Sequence, residues 1–181
     1  TAIGRILDTG GWRERFLVHH LPPDTMIEHC AARLAQGELL GWFQGAMEWG
    51  PRALGHRSIL ADPRDATVAH RINRLTKRRE DFRPFAPAVL DSEASTWLAA
   101  PPTTLAHCSF MSQVVPVHPA RRASVPAVTH ADGSARPQIV TMDTNPRLHS
   151  LITAFAGLTG VPMLLNTSFN QNEPIVCTPL D

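Results

Sequence analysis

EWGPRALGHRSILADPRDATVAHRINRLTKRREDFRPFAPAVL, residues 48–90, decides how the rest of the chain is read. It holds nine cations: Arg52, Arg57, Arg64, Arg71, Arg74, Lys77, Arg78, Arg79 and Arg83. The whole chain has 17 Lys and Arg in 181 residues, so about half of its positive charge is gathered in this one segment. The segment is punctuated by a Gly-Pro-Arg turn and two apolar pieces with prolines at their ends, unlike a repetitive basic tail. Fixed turns carrying guanidinium groups suit phosphate, because arginine presents a rigid fork that matches its oxygens. The competing reading is a basic helix with a solvated face, which fits Arg71, Arg74 and Arg78 at least as well.

Working outward, Ile59-Leu60-Ala61 reads as a strand, and Asp65 can cap a helix from 66 to 76 or 78 with Val68, Ala69, Ile72 and Leu75 inward. The piece FAPAVL (85–90) is a short strand with prolines at its edge, followed by a short helix from Ser92. Upstream, Leu39 to Phe43 is a buried strand, and glycines at 45, 50 and 55 permit close approach of a ligand to backbone. Thr25-Met26-Ile27-Glu28 has the capping-box form and opens a helix over 25–36 that Gly37 ends. Before it lie a Gly10-Gly11 turn, a short strand at 16–18 and Pro22-Pro23. Downstream, 107–115 reads as a strand, and 125–130 and 137–140 flank the turn ADGSAR like a hairpin. Asn145-Pro146 starts a helix whose stripe is Leu148, Leu151, Ile152, Phe155 and Leu158, closed by Gly160. Val161 to Leu165 and 175–176 are strands around the polar loop NTSFNQNEP. Helices and strands alternate, which predicts an α/β domain with a mixed sheet.

The length fits one domain able to bury a real core, and 43% apolar with 18% charged residues are globular values. The net charge of +1 discriminates no partner. No apolar run approaches the ~18 residues of a membrane span, and the start lacks a signal-peptide shape. Cys30, Cys108 and Cys177 are odd in number and form no metal pattern, which predicts reduced, buried thiols of a cytoplasmic protein. Beginning at Thr1 and stopping just after an expected strand, the chain reads as a domain excised from a longer protein.

There is no Walker loop, dinucleotide fingerprint or HExxH, and no tight His/carboxylate cluster for a metal hydrolase. Beyond the opening stretch, three constellations stand out. Lys77 and Arg79 have KxR spacing, with Arg83 following in RPFAP. His130 and Arg136 bracket the ADGSAR turn. Asn166, Thr167, Ser168 and Asn170 follow a buried strand, the place where α/β proteins bind ligands. Their alternative role is an Asx-turn or cap. The residue types suit phosphoryl or nucleotidyl chemistry, in which cations offset charge growing in a transition state.

The strings QGAMEWGPRALGHRSILADPR, KRREDFRPFAP, THADGSARPQ and GVPMLLNTSFNQNEPIVCTP, in that order, resemble the C-terminal domain of the carbamoyltransferases. These are the antibiotic-tailoring O-carbamoyltransferases and the nodulation-factor carbamoyltransferases. The resemblance covers residues 21–181 and leaves 1–20 as a linker or tail from a preceding domain. It implies a YrdC-like fold, a twisted open mixed sheet with flanking helices, whose KxR and SxN motifs would be Lys77/Arg79 and Ser168/Asn170. It further implies binding of ATP, with Mg2+ as part of the substrate, and of carbamoyl phosphate. The product would be carbamoyl adenylate, formed with loss of pyrophosphate and phosphate. A missing N-terminal actin-like (ASKHA) domain would hold the resident metal and pass the carbamoyl group to an acceptor hydroxyl.

Carried over residue by residue, Lys77, Arg52 and Arg83 would be catalytic cations, and Arg79 and Arg136 would hold phosphates. Asn166, Ser168 and Asn170 would orient nucleotide or carbamoyl groups, with His130 beside them. The chain departs from the family pattern at Ala46, where Arg is common, and more mildly at His56 and Ala131. An RNA-binding module is one alternative, since residues 71–83 hold six cations against Glu80 and Asp81. The absence of Tyr and of aromatics interleaved with the basic run argues against it. The other alternative is a structural domain that docks its missing partner.

Overall fold

The chain is described here from a computed structural model, which covers residues 2–9, 11–171 and 173–180. Two short helices, α1 (Ala2–Thr9) and α2 (Trp12–Arg15), come first. The strand expected at 16–18 is absent; Phe16 and Leu17 are exposed and find no sheet to join. Gly10 of the expected turn lies outside the described residues. Helix α3 (Pro23–Ala35) starts two residues before Thr25, with Pro22 at its N-cap and no side-chain cap. Proline at N1 has the helical φ already set and lacks only an N–H that would be unpaired there, so the capping box at Thr25 and Glu28 does not form.

Strands β1 (Leu40–Phe43) and β2 (Arg57–Ala61) follow, then α4 (Ala66–Arg71), capped by the Asp65 carboxylate on the Thr67 amide. The helix does not continue with α-helical winding. Residues Ile72–Lys77 form a π-helix, which buries Ile72, Asn73 and Lys77. Leu75, expected inward, is 69% exposed, because i→i+5 winding rotates the inward stripe away from the 3.6-residue period. Strand β3 (Ala86–Leu90) precedes α5 (Ala94–Trp97), entered through a 3-10 turn at Asp91–Glu93, and then α6 (Pro102–Leu105).

The stretch 107–115 is mostly turns; only Val115–Pro116 forms a strand, β4, antiparallel to β5 (Ser134–Ala135). The expected hairpin is also absent. Pro126–Val128 winds as a 3-10 turn, where proline has no N–H to offer a ladder, and β6 (Gln138–Val140) pairs in parallel with β3. Helix α7 (Pro146–Thr159) is capped by Asn145 on the Leu148 amide and closed by Gly160 at φ 73°. Strand β7 (Met163–Ser168) follows as the last strand in chain order, and 175–176 is not a strand; the Val176 amide donates to the Phe169 carbonyl.

The five-stranded sheet has the order β1-β2-β7-β3-β6 and is open and mixed, with flanking helices. Strand β3, expected as a short strand with prolines at its edge, lies between β7 and β6. It tolerates Pro87 because pairing with β6 begins only at Ala88. Helices α3 and α7 pack against each other, and α7 also meets β3 and β7. The core there combines Ile27, Ala31 and Leu34 with Leu148, Leu151, Ile152 and Phe155 over Leu60, Val89 and Leu164. Cys108 is buried as expected, whereas Cys30 is half-buried and Cys177 exposed. Among the described residues no helix is long and apolar enough to cross a membrane.

Strand register explains where the site forms. Ser58 pairs with Ser168, Ala86 with Asn166, and Ala88 with Gln138. The entries to β2, β3 and β6 therefore share one edge of the sheet with the exit of β7. Arg52, Arg79 with Arg83, Arg136, and Asn166 to Ser168 lie on those four segments.

Candidate functional site

A cavity of about 130 Å3 at this edge is lined by Arg52, Arg79, Arg136, Asn166, Thr167 and Ser168, among others. A neighbouring cavity of about 260 Å3 shares Arg79 and Arg136 and adds Arg83 and His130. Arg52, Arg79, Arg83, Arg136, His130, Asn166 and Ser168 are thus brought together from segments up to 116 residues apart, Arg52 to Ser168.

The Arg52 loop is held rigidly by buried amides. Gln44 Nε2 donates to the Gly55 carbonyl (2.6 Å) and to Asn145 Oδ1 (2.8 Å). Gln138 Nε2 and Asn145 Nδ2 donate to the Leu54 carbonyl, at 2.8 Å and 3.2 Å. Asn166 Nδ2 donates to the Ala53 carbonyl (3.0 Å) and to Gln138 Oε1 (2.9 Å). Glu48 Oε1 accepts from the amides of Leu54 (2.7 Å), His56 (2.8 Å) and Arg57 (3.2 Å). Burial works to raise the Glu48 carboxyl, but these amides outweigh it and hold it below the usual carboxylate range. Gly55 takes φ 93°, and a Cβ there would lie 2.9 Å from Asn145 Nδ2 and collide with Leu148.

Arg79 is positioned from the π-helix. Its Nε donates to Asn73 Oδ1 (2.6 Å), its amide to the Asn73 carbonyl (3.0 Å), and its guanidinium stacks 4.9 Å from the Phe85 ring centre. Asn73 Nδ2 donates onward to the Arg83 carbonyl (3.0 Å), so this fully buried side chain ties both ends of the basic loop. Burial and then the Arg83 charge lower the Arg79 pKa, against Glu80. Burial and the Arg52 charge lower that of Arg136. Both remain cations, because the guanidinium does not deprotonate in proteins. Of the four arginines, Arg83 has the ion pair, with Glu80 at 2.9 Å; the other three have no carboxylate partner among the described residues. Arg136 Nε and Asn166 Oδ1 are buried and make no hydrogen bond among the described residues.

Lys77, expected as a catalytic cation, is turned toward the SxN loop. Its Nζ is buried and donates to the Ser168 carbonyl, Ser168 Oγ (3.0 Å), the Asn170 carbonyl (2.8 Å) and Asn170 Oδ1 (2.7 Å). Ser168 Oγ also donates to Asn170 Oδ1 (2.7 Å). The ammonium therefore clamps the SxN loop and lines neither cavity, and Asn170 is likewise engaged in that clamp. Burial, and then the Arg79 charge, lower the Lys77 pKa to about 8, with Glu173 opposing.

At His130, Ser134 Oγ donates to Asp132 Oδ1 (2.6 Å), so the imidazole Nδ1, 3.1 Å from Ser134 Oγ, donates to that hydroxyl. Burial lowers the His130 pKa; Asp132 opposes, Arg136 adds to the lowering and the Phe85 carbonyl opposes.

Several cations of the basic stretch belong to the scaffold. Arg57, 4% exposed, donates to the carbonyls of Gln44, His56, Gly45 and Cys177 and stacks on Phe43. Arg64 pairs with Asp62 at 2.6 Å, and Arg71 donates to the Gly37 carbonyl (2.6 Å). Sequence reasoning missed Asn73, Gln44 and Gln138 as organisers of the site. The available signal was a polar side chain at an inward position of an otherwise apolar element. Among the described residues no group of three or more His, Cys, Asp or Glu side chains could hold a metal ion.

The family model described as "Carbamoyltransferase C-terminus" matches residues 31–181, and the chain belongs to that family. It is 49% identical to "Nodulation protein NolNO" of Sinorhizobium fredii over 159 residues, which is 87% of this chain and 23% of that protein. It is 38% identical to "3'-hydroxymethylcephem-O-carbamoyltransferase" of Amycolatopsis lactamdurans, over 91% of this chain and 29% of that one. To the protein of the same description from Streptomyces clavuligerus it is 39% identical, over 86% and 30%. The chain spans about a quarter of the length of the curated relatives it matches.

Proposed function

We propose that this domain activates a carbamoyl group by forming carbamoyl adenylate from ATP and carbamoyl phosphate. The observation that carries the reading is the convergence of Arg52, Arg79, Arg83 and Arg136 on adjoining cavities, three of them without a carboxylate partner among the described residues. Like charges held together and partly desolvated require an anion of several charges in return. Triphosphate and carbamoyl phosphate supply it, with magnesium arriving as part of the nucleotide substrate.

The balanced sequence has two steps. Water cleaves carbamoyl phosphate to carbamate and phosphate. A carbamate oxygen then bonds to the α-phosphorus of ATP as the α–β bridging P–O bond breaks, and pyrophosphate leaves with the electron pair. Arg52, Arg79 and Arg136 offset the charge that develops on the leaving phosphates, and Arg83 closes the outer side. Asn166 Oδ1, buried and without a hydrogen bond among the described residues, accepts from the carbamoyl amide, and Ser168 orients it. Lys77 acts through the loop it clamps. In the longer protein a further domain, of the actin-like type, delivers the carbamoyl carbon to an acceptor hydroxyl and releases AMP.

Pyrophosphate release from ATP that depends on added carbamoyl phosphate is the test, with calorimetric titration of each ligand beside it. Arg136→Ala and Arg52→Ala should each weaken ATP binding ~10- to 100-fold, the scale of a lost charge-assisted hydrogen bond. A folded chain that binds neither ligand, or variants that bind ATP like the wild type, would remove this reading.

A further inference from the structure

A third cavity, of about 500 Å3, shares Arg52 and Arg136 with the phosphate site and extends to Trp49 and Phe110. Both rings are solvent-exposed, Trp49 completely and Phe110 to 71%. Large aromatic rings left in water beside a cavity bordered by two arginines have no role in the core, and each offers a π-face to a ligand. The rings are placed by constrained backbone. Gly50, at φ 114°, and Pro51 lie between Trp49 and Arg52. Met111, next to Phe110, is buried and holds φ 55°, an uncommon conformation for a residue with a side chain. The same short loops therefore present one aromatic ring and one cation-bordering face each.

We infer that Trp49 and Phe110 seat the planar base of the nucleotide whose phosphates Arg52, Arg79 and Arg136 hold. The inference rests on the ATP reading above and deepens it. Three peptide units separate Trp49 from Arg52, at most ~11 Å of extended chain, which is the scale separating a base from its phosphates. Base–aromatic stacking needs no hydrogen-bond pattern, so this wall adds affinity for the nucleoside part while the arginines bind the polyanion. A cation cluster alone would not distinguish ATP from any other polyphosphate; the aromatic wall makes the site one for a nucleotide.

Separate titrations of ATP and inorganic tripolyphosphate into the chain, Trp49→Ala, Phe110→Ala, Trp49→Phe and Arg136→Ala test this. ATP should bind the wild type more tightly than tripolyphosphate and quench Trp49 fluorescence. Each aromatic-to-Ala change should weaken ATP about five- to a hundredfold and leave tripolyphosphate unchanged, with Trp49→Phe keeping most of the affinity. Arg136→Ala should weaken both ligands. Equal binding of the two ligands by the wild type, or aromatic variants that retain full ATP affinity, overturns the base seat while leaving the phosphate site standing. Failure of a folded wild-type chain to bind either ligand overturns the functional reading, and this inference with it.

Discussion

Lys77 and Arg136 carry the same formal charge and face the site in opposite ways. Lys77 Nζ is surrounded by four oxygens of Ser168 and Asn170, whereas Arg136 borders open cavities with Nε making no hydrogen bond among the described residues. The difference has a consequence in pH. Burial and Arg79 hold the folded Lys77 at about 8, below its ordinary 10.5. The folded state therefore loses this proton first on raising pH, and the unfolded state binds more protons in between. The Lys77 contribution to stability accordingly rises with pH from about 8 to about 10.5. Urea midpoints of the wild type and of Lys77→Met, compared across that window, should show this rise in the wild type and its loss in the variant. The motifs made Arg52, Arg79, Arg83, Arg136 and Ser168 legible as candidates. What they could not show is which cations remain open to a ligand, because Arg57 and Arg64 have the same side chain and spend it on carbonyls and on Asp62.

The π-helix Ile72–Lys77 is the element on which the basic loop depends. Its winding brings Asn73 beneath Arg79 and turns Leu75 outward, so the inward stripe changes partway along what reads as one helix. Helical periodicity found the first half, Ala66–Arg71, and lost the second, since a period of 3.6 cannot announce its own interruption. Asn73→Ala and Arg79→Ala, alone and together, should weaken ATP binding non-additively, the double variant resembling Arg79→Ala. Additive losses would place Asn73 outside the positioning of Arg79. The Arg52 loop has an equally sharp requirement. Gly55→Ala should destabilise the fold by ~2 kcal/mol or more, measured by denaturant titration, because it adds left-handed strain to a collision with Leu148. Its analogue Gly37→Ala, also at positive φ but with open space around it, should cost less.

Across the whole molecule, the site depends on a sheet whose order interleaves distant strands. Strand β7 lies between β2 and β3, so the last strand of the chain joins the segments that carry Arg52 and Arg79. Helices α3 and α7 support that sheet, and Phe155 is fully buried between them and the strands. Phe155→Ala should lower unfolding free energy by ~3–5 kcal/mol without touching a cation of the site. Equilibrium unfolding checks this, and binding of ATP to the fraction still folded should be unchanged.

By itself, the sequence determined the helices at α3 and α7, the strands β1, β2, β3 and β7, the mixed α/β class and the family. Local periodicity and caps such as Asp65 and Asn145 are properties of neighbouring residues, and motif strings survive without a structure. Only the tertiary structure decided that β6 joins β3 in parallel, that 125–140 is no hairpin, that the KxR lysine clamps the SxN loop, and that aromatics border the cation cavities. Each of these depends on pairing between segments far apart in the chain. Such pairing is selected by register, burial and the winding of a π-helix, none of which is written in the spacing of a single segment.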